Sequence, residues 1–542
     1  MASIEALGGT LDLRKAKHLL RRATFSYTKE QLDALIGEPV TTAVASLLVD
    51  VPNILDEPFD PIADGFWTSS TALPGDFDGQ SRKRAIVAGW WWYNAISQVS
   101  VKHKLSFFLY TCFTVSKDDG SGASTYFFDY LRLLDFYALG SIKTLAKKIT
   151  LDSCMLYYLD NNRNNKNNPN ENYAREFFEL FTILRGEQMG TEDYTNYTEH
   201  DIQEAAKVFS GFKVQVDRSI IDPDTGIPMG YIEVDQHNTD DKTFSTAFNN
   251  QTITGREIAD GIFEELDDFV EMVFAQQETA KAYCRKLYRY FVKSKWDDEV
   301  ETDVITPLAQ LLIDNDFEIL PVVEKLLSSQ HFYDADDSDA TDEIIGAIIK
   351  SPLQLASEIC SIFNATIPDP TSDALNYYSS FFTNFLHNNY FVTSGMDLFS
   401  PFDVAGYHAY FQEPDYDRYW FSSNTIIGRY RIFESLIQGV NTISSGDIYA
   451  TIDTLSFAEN NISDPSDPNV LVAEMADLLY PESIDADRIN HFKHFILEED
   501  FSDYYWTNAW MRYANGGDNL TVKPRMDALA TAMINAAEFQ LM

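Results

Sequence analysis

The sequence predicts a mainly α-helical protein, a large multi-helix assembly with one small β-hairpin excursion near residues 212–250. Apolar residues recur at spacings of three and four through most of the 542 residues, which is the period of a helix buried on one side. Helix-capping residues stand at the ends of many of these segments. Only one region has β-branched residues arranged around a turn sequence, so the strand content is expected to be small.

Three segments illustrate the helical pattern. Residues 28–36 begin with a capping-box pair, Thr28 and Gln31, and residues 198–209 begin with Thr198 followed by acidic residues in the first turn. In ENYAREFFELFTIL the apolar residues form one stripe that ends before Gly186. Further helical patterns cover residues 82–99, 102–115, 125–139, 278–292, 343–363, 424–436 and 523–541.

The β excursion begins at Lys213, where the sequence reads KVQVDRSIIDPDTGIPMGYIEVDQ. Two β-branched stretches flank the turn-forming residues 222–226, which is typical of a hairpin. Loops rich in Pro, Asp, Gly and Ser lie near residues 51–81, 334–342 and 365–372. We therefore expect a single unit over residues 1–542 that is subdivided, if at all, at those loops.

Composition excludes two kinds of partner. With 41 basic and 83 acidic residues, the formal net charge of −42 repels nucleic-acid phosphates and anionic lipid surfaces. No apolar run approaches the roughly 20 residues of a membrane span, and the first twenty residues lack a hydrophobic region of signal-peptide type. We expect no nucleic-acid partner and no direct membrane insertion.

The stretch DNNRNNKNNPNEN, residues 160–172, allows two interpretations. Counted as a calcium loop, it places oxygen ligands at Asp160, Asn162, Asn164 and Glu171. Only two of these are carboxylates, and two basic residues lie inside the ring. The alternative is a series of Asx turns, in which the asparagines bond to nearby backbone groups between two helices. The second interpretation is favoured, and calcium stays the possible cofactor.

Several segments carry a resemblance to a known family. HLLRRATF and PNENYAREFFELFT are the most specific of them. The others follow in order: TEHDIQEAAKVFSGF, His237 with KTF, RKLYRYFV, KSP, PFDVAGY and the final EFQLM. Together they span nearly the whole chain, which resembles the large bacterial family catalogued as domain of unknown function 1800.

The resemblance implies a role rather than a reaction. Members are often predicted to be exported, so it implies a component of the cell surface or the extracellular space that works in a protein complex. The alternative is a hydrolase-like enzyme that acts on an extracellular polymer, with carbohydrate as the expected class. Where many members have a Trp and two His around an Asn, this sequence has LYTCF at residues 109–113, which puts chemistry based on those histidines in doubt.

Charged residues of the two specific motifs supply the first candidate site. Glu176 lies at the edge of the apolar stripe, where a carboxylate is either paired or has a raised pKa. Glu179 lies on the opposite, solvated face in this projection. We expect His18 and either Arg21 or Arg22 to meet Glu176 or Glu179 in a buried polar cluster. Such a cluster is either a structural ion-pair lock or an acid–base site whose arginines bind an anionic substrate.

A second candidate follows the hairpin. His237 is close in sequence to two aspartates and Lys242, and loops after strands often carry function. The candidate catalytic residues are therefore Glu176, His18 and His237, with Arg21, Arg22 and Lys242 as candidate substrate-binding residues. If the three catalytic candidates converge in one open cleft, the enzyme hypothesis gains support; if they are dispersed or sealed, it fails.

Aromatic runs add a binding hypothesis. WWWY, YHAYF, DYDRYWF and DYYWTNAWMRY mix Trp and Tyr with acids and amides. Ring faces of this kind stack on the C–H faces of sugars, while acids and amides bind the hydroxyls, so a polysaccharide is a possible ligand. Core packing and protein–protein interfaces are the other uses of such residues.

Overall fold

The computed structural model describes residues 2–69, 77–337, 343–441, 448–497 and 502–542. Over these ranges the predicted mainly α-helical fold with small hairpins is confirmed. The described α-helices are α1 Leu13–Ala23, α2 Lys29–Leu35, α3 Val40–Leu47, α4 Phe77–Ile96, α5 Val101–Cys112, α6 Ser124–Phe136, α7 Ile142–Ile149, α8 Ser153–Tyr158, α9 Glu171–Glu176, α10 Glu199–Val208, α11 Ala259–Phe274, α12 Gln277–Phe291, α13 Asp298–Val300, α14 Thr306–Asp314, α15 Ile319–Leu327, α16 Pro352–Ile362, α17 His408–Phe411, α18 Ile426–Gln438, α19 Thr454–Asn461, α20 Pro468–Leu479, α21 Ala486–Lys493, α22 Tyr504–Ala514 and α23 Val522–Ile534. Three further segments are π-helical: Phe177–Phe181, Glu301–Ile305 and Asn376–Phe391.

Strands are short and pair only as antiparallel two-stranded ladders in the described ranges. They are β1 Phe59–Asp60 with β2 Gly65–Phe66, β3 Phe212–Lys213 with β4 Tyr231–Ile232, β5 Lys242–Thr243 with β6 Thr252–Ile253, and β7 Val440–Asn441 with β8 Ile448–Ala450. The β3–β4 ladder and a bridge between Ile221 and Pro228 form the predicted excursion, and the β5–β6 ladder extends it to residue 253.

Helix ends agree with the capping chemistry, with one clear error. Thr28 and Thr198 both form the capping boxes expected from the sequence. The helix predicted for 343–363 begins only at Pro352, because Ser351 caps it and proline occupies its first turn, where no N–H is needed. Of the expected boundary loops, residues 70–76 and 338–342 lie outside the described residues.

One contiguous apolar cluster runs from the first residues to Phe539 and forms the core. The three tryptophans of WWWY are buried in it, so that run is core and not a ligand-binding surface. The last residues pack against the segment that precedes α16. Leu541 forms a β-bridge with Ile349, and Lys350 donates a 2.7 Å hydrogen bond to the carbonyl of Phe539. None of the helices in the described ranges has the length and apolarity needed to cross a membrane.

Candidate functional site

A cavity of about 930 Å³ opens between four separate parts of the chain. Its walls are the C-terminal end of α5, the π-helical turn after α9, one face of α12, and the loop from 403 to 416 that includes α17. The polar lining comprises Thr111, Thr114, Glu176, Glu179, Arg185, Arg285, Lys286, Arg289, Asp403 and Glu413. A cavity of this size accommodates a ligand of several sugar or amino-acid units.

Glu176 is a carboxyl group in the wall of this cavity. It is the last residue of α9 and is half-buried at the cavity wall. Within the described part of the chain its carboxylate forms neither a hydrogen bond nor an ion pair. Burial, followed by the nearby charge of Glu179, raises the pKa of Glu176 to about 7. The side chain is therefore divided between its acid and its base near neutral pH, as a general acid or base requires.

Glu179 faces the same cavity, which corrects the expectation that it lies on a solvated face. The chain passes from α-helix to π-helix at Phe177, and a π turn holds more residues than an α turn, so the projection used for the sequence fails beyond that point. Glu179 is only 7% exposed and is ion-paired to Arg185 and, at 3.8 Å, to Arg175. Glu179 is therefore ion-paired, but its negative charge still disfavours the ionised form of Glu176.

The same turn carries backbone strain. Leu184, three residues after the π-helical segment ends at Phe181, lines the cavity with φ of 62°, a left-handed conformation that is unusual for a residue other than glycine or asparagine. Thr182 bonds through its hydroxyl to the carbonyl of Phe177 at 2.6 Å, five residues back. π-Helical turns and strained residues are concentrated at functional sites, which agrees with the position of this turn in the cavity wall.

Helix α12 presents basic side chains to the cavity. Residues 282, 285, 286 and 289 lie at helical spacings on one face. Arg285 is neutralised by Glu301 at 2.6 Å and Glu278 at 3.0 Å. Lys286 and Arg289 have no carboxylate partner among the described residues, and burial lowers the pKa of each.

Aromatic rings also line the cavity, and two of them, Tyr416 and Trp296, contact Arg289. Tyr407, Tyr410 and Trp420 contact one another, with ring centroids 5.8 to 6.4 Å apart. The Tyr407 hydroxyl donates to the carbonyl of Asp397 at 2.6 Å, which fixes the ring. The aromatic members of the lining are Phe108, Phe181, Tyr290, Trp296, Tyr407, Tyr410, Phe411 and Tyr416. The cavity thus combines ring faces with carboxylates and cations.

The predicted lock between α1 and the segment after α9 is wrong. Arg21 is buried and pairs with Glu358 of α16 at 2.9 Å, and it also donates to the carbonyl of Leu479 at 2.6 Å. Arg22 donates to the carbonyl of Ile344 at 2.8 Å. Sequence reasoning correctly expected a buried ion pair on α1, but 83 acidic residues gave no means of choosing Glu358 as the partner.

His18, on the same helix, is buried against neighbouring rings. The ring is 3% exposed and packs on Phe332, with centroids 4.4 Å apart. Burial, followed by the positive charge of Arg22, holds the pKa of His18 well below its usual range, so the ring is neutral. His18, Arg21 and Arg22 do not line the cavity that contains Glu176.

His237 and Lys242 form a second sealed cluster. His237 is fully buried, and its Nδ1 lies 2.8 Å from the carbonyl of Ser210. Glu265 of α11 lies 3.3 Å from the Nε2 of His237 and 2.6 Å from the Nζ of Lys242. This network ties the β5–β6 ladder to α11. The three catalytic candidates are therefore dispersed, so the enzyme hypothesis that joined them in one site fails; of the three, Glu176 is the one that lines the cavity described above.

The asparagine-rich stretch forms Asx turns, in which Asn165 accepts the backbone N–H of Asn167 at 3.1 Å and Asn170 accepts that of Asn172 at 3.0 Å. Asn162 accepts a hydrogen bond from the backbone N–H of Val214 at 2.9 Å, and Asn164 accepts one from Asn170 at 3.0 Å. Those oxygens are the ones that a calcium loop would need. Glu171 faces Arg175 at 3.5 Å, while Asp160 lies 3.3 Å from Arg163. The described residues contain no group of three or more side chains from His, Cys, Asp and Glu that could hold a metal ion.

The fold and the site define a class: a large helical protein with an aromatic-lined cavity, in which one carboxyl group and two cations form no ion pair with any residue that the structure describes. The chain belongs to the family described as Protein of unknown function (DUF1800), whose sequence profile matches residues 18–541. No curated protein and no solved structure matches the chain.

Family segments separated by long stretches of chain meet at the cavity. PNENYAREFFELFT supplies Glu176, RKLYRYFV supplies Lys286 and Arg289, and PFDVAGY supplies Asp403 and Tyr407. LYTCF, the segment at which the sequence departs from the family pattern, contributes Thr111 and Cys112. Sequence reasoning missed the α12 cations, although a cluster of basic residues in so acidic a chain was a usable signal.

Proposed function

We propose that the protein is a hydrolase-like enzyme that acts on a carbohydrate polymer in this cavity, with Glu176 as the proton donor. The observation that carries the proposal is the half-buried, partner-free carboxyl of Glu176 with a pKa of about 7. Cleavage of a glycosidic bond requires a carboxylic acid that is still protonated near neutral pH and can protonate the leaving oxygen.

A second carboxylate is available on the opposite wall. Asp403 belongs to a tight turn in which its Oδ1 accepts the N–H of Ala405 at 3.0 Å, and its charge contributes to the raised pKa of Glu176. A carboxylate in that position is suited to stabilise positive charge on the sugar ring or to activate water. We assign Asp403 that supporting role.

The wall of aromatic rings supports carbohydrate as the substrate class. Ring faces stack on the C–H faces of sugars, and the threonines and carboxylates of the lining offer partners for hydroxyl groups. Phe402 precedes these aromatic residues in the sequence and is fully exposed. A polysaccharide chain that extends out of the cavity therefore has a ring to stack on. A long substrate fits this arrangement better than a single sugar.

The test is turnover on polysaccharides, read as the release of reducing ends. We expect the purified protein to cleave at least one substrate of an array, and Glu176→Gln to reduce that rate by about 10²- to 10⁴-fold. The rate should fall as pH rises through about 7, because the acid form of Glu176 is lost. Glu265→Gln, in the sealed His237 cluster, is the control: it affects stability but not the rate per folded molecule. Full activity of Glu176→Gln would contradict the proposal.

A role in a protein complex is the second candidate. Helix α22 buries Trp506 and Trp510 but leaves Tyr504, Tyr505 and Met511 more than half exposed. Exposed tyrosines of this kind are enriched at protein interfaces. Affinity purification from the native cell tests it: a stoichiometric partner lost on Tyr504→Ser supports the complex.

The cell surface stays the proposed location, and fractionation of the native cell is its test.

A further inference from the structure

Two cations in the cavity lack the neutralisation that the rest of the protein provides. The chain has 83 acidic and 41 basic residues, so an unpaired cation is not explained by a shortage of acids. On the same helix, Arg285 has two carboxylate partners, and across the cavity Arg185 pairs with Glu179. Lys286 and Arg289 are the exceptions on this wall.

Among the residues that the structure describes, Lys286 is positioned by one backbone carbonyl and one ring. Its Nζ donates one hydrogen bond, at 2.5 Å, to the carbonyl of Leu180 in the π-helical segment, and it lies 5.8 Å from the centre of the Tyr283 ring. An ammonium group has three N–H donors, so donors remain for a ligand. The half-buried side chain lines the cavity.

Arg289 is held between two aromatic rings. Its guanidinium lies 4.4 Å from the centre of the Tyr416 ring and 5.1 Å from that of Trp296. Its hydrogen bonds, to the Tyr410 carbonyl at 3.4 Å and the Tyr416 hydroxyl at 3.5 Å, are long. Glu413 is nearby but accepts the Tyr416 hydroxyl at 2.8 Å instead of pairing with Arg289.

The rings fix the guanidinium, but no carboxylate of the described residues forms an ion pair with it, and Glu413 acts on it only through its nearby charge. Cation–π contacts are weaker than an ion pair with an oxyanion, so they do not replace one for a half-buried charge. Lys286 and Arg289 are three residues apart on α12, so both side chains point to one part of the cavity. A rigid fork of donors beside an ammonium is the arrangement that binds carboxylate and sulfate groups.

We propose that Lys286 and Arg289 form a binding site for an anionic group of the substrate, a carboxylate or a sulfate ester, which makes the substrate an acidic polysaccharide. This inference deepens the proposed function and rests on it for the carbohydrate class. The overall charge of −42 repels acidic polymers at long range, so a local site of this kind is what allows one to bind.

The experiment is calorimetric titration with three oligosaccharides of equal length: a galacturonate oligomer, a sulfated dextran fragment and a neutral maltooligosaccharide. We expect the wild-type protein to bind at least one acidic oligomer about 10- to 100-fold more tightly than the neutral one. Lys286→Gln and Arg289→Gln should each remove most of that preference, and Lys286→Arg should retain it. The acidic oligomer that binds distinguishes carboxylate from sulfate.

Lys281→Gln is the matched control, because Lys281 lies on the same helix but does not line the cavity, and it should leave affinity unchanged. Equal affinity for acidic and neutral oligomers, or failure of both acidic oligomers to bind, overturns the inference. Glu176→Gln separates the two proposals. If Glu176→Gln binds acidic oligomers normally, and neither the wild type nor any variant cleaves a polymer, the anion site stands and the hydrolase proposal fails. If the wild type cleaves neutral polymers and Lys286→Gln leaves that rate unchanged, the hydrolase proposal stands and the anion site fails.

Discussion

Glu176 illustrates how burial without a partner produces reactive chemistry. The residue lies at the edge of an apolar stripe, a position that the helical period predicts correctly. Its raised pKa of about 7, by contrast, depends on the absence of any partner and on Glu179 beside it. Neither fact is readable from the sequence, because both follow from chain segments that meet only in the folded protein.

The raised pKa makes a prediction about stability. Between pH 4.5 and about 7 the folded protein holds a proton on Glu176 that the unfolded chain releases, so this group lowers stability as pH rises through that window. Glu176→Gln removes the penalty. We expect the variant to match the wild type near pH 4.5 and to be more stable by about 2 kcal/mol at pH 8, after discounting for the open cavity. Denaturant unfolding at the two pH values measures this, and a variant less stable at pH 8 would contradict it.

The buried pair of Arg21 and Glu358 makes a second prediction. Burial alone would raise the pKa of Glu358, but the charges of Arg21 and Lys350 outweigh it and lower that pKa. Glu358→Gln leaves Arg21 buried without its counter-charge and removes the carboxylate that stabilises the charged form of Lys350, whose pKa burial lowers to about 7, so we expect a loss of about 3–5 kcal/mol in the free energy of unfolding. Glu482→Gln, which breaks an exposed pair with Arg14, should cost less than about 1 kcal/mol. Similar losses for the two variants would show that the buried pair contributes nothing special.

At the scale of elements, capping and periodicity predicted most helices, and the π-helical segments were the failure. Nothing in ENYAREFFELFTIL marks the change of period at Phe177, because the same apolar residues satisfy either helix. The change decides which residues reach the cavity, since it moves Glu179 from solvent to the wall. The site was therefore harder to predict than the fold, although the motif that contains it was recognised.

The asparagine-rich turn gives a test at this scale. Asn164 is buried, accepts one backbone N–H, and donates to the Ala206 carbonyl at 2.8 Å and to Asn161 at 3.1 Å. We expect Asn164→Ala to cost about 2–4 kcal/mol, because each unsatisfied buried group costs about 1–3 kcal/mol. Asn167→Ala, at an exposed position of the same turn, should cost less than about 0.5 kcal/mol.

Calcium provides the counter-test for this turn. If the turn is held by its own hydrogen bonds, about 1 to 10 mM calcium, which exceeds the roughly 0.1–1 mM dissociation constants of weak extracellular sites, should leave the unfolding temperature of the wild type unchanged. A rise in that temperature that Asp160→Asn abolishes would restore the calcium-loop interpretation of residues 160–171.

At the scale of the whole molecule, the single contiguous core predicts one cooperative unit. Apolar residues from both ends of the chain belong to the same cluster, and the last residues are attached to α16 through Lys350. We expect one calorimetric transition for residues 1–542, with equal calorimetric and van't Hoff enthalpies. Two separated transitions would instead support subdivision at one of the loops near residues 51–81, 334–342 or 365–372.

The apolar periodicity and the capping residues predicted the fold class, because both are local properties of a sequence. The cavity was not predictable in the same way, because its four walls come from segments up to about three hundred residues apart. His18 and His237 were selected for their chemical type and were found sealed, whereas Lys286 and Arg289 drew no attention. What distinguishes the second pair is the absence of partners, and only coordinates reveal that.

The most direct test of the account is the pKa of Glu176 in the free protein. It can be followed by carbon-13 NMR of selectively labelled glutamate carboxyls, with the signal of Glu176 assigned by its disappearance in Glu176→Gln. The account predicts a midpoint near 7, as burial beside Glu179 requires. A midpoint near 4.5, the ordinary value for glutamate, would mean that the carboxyl is solvated or paired, and the cavity would then have no acid to offer a substrate.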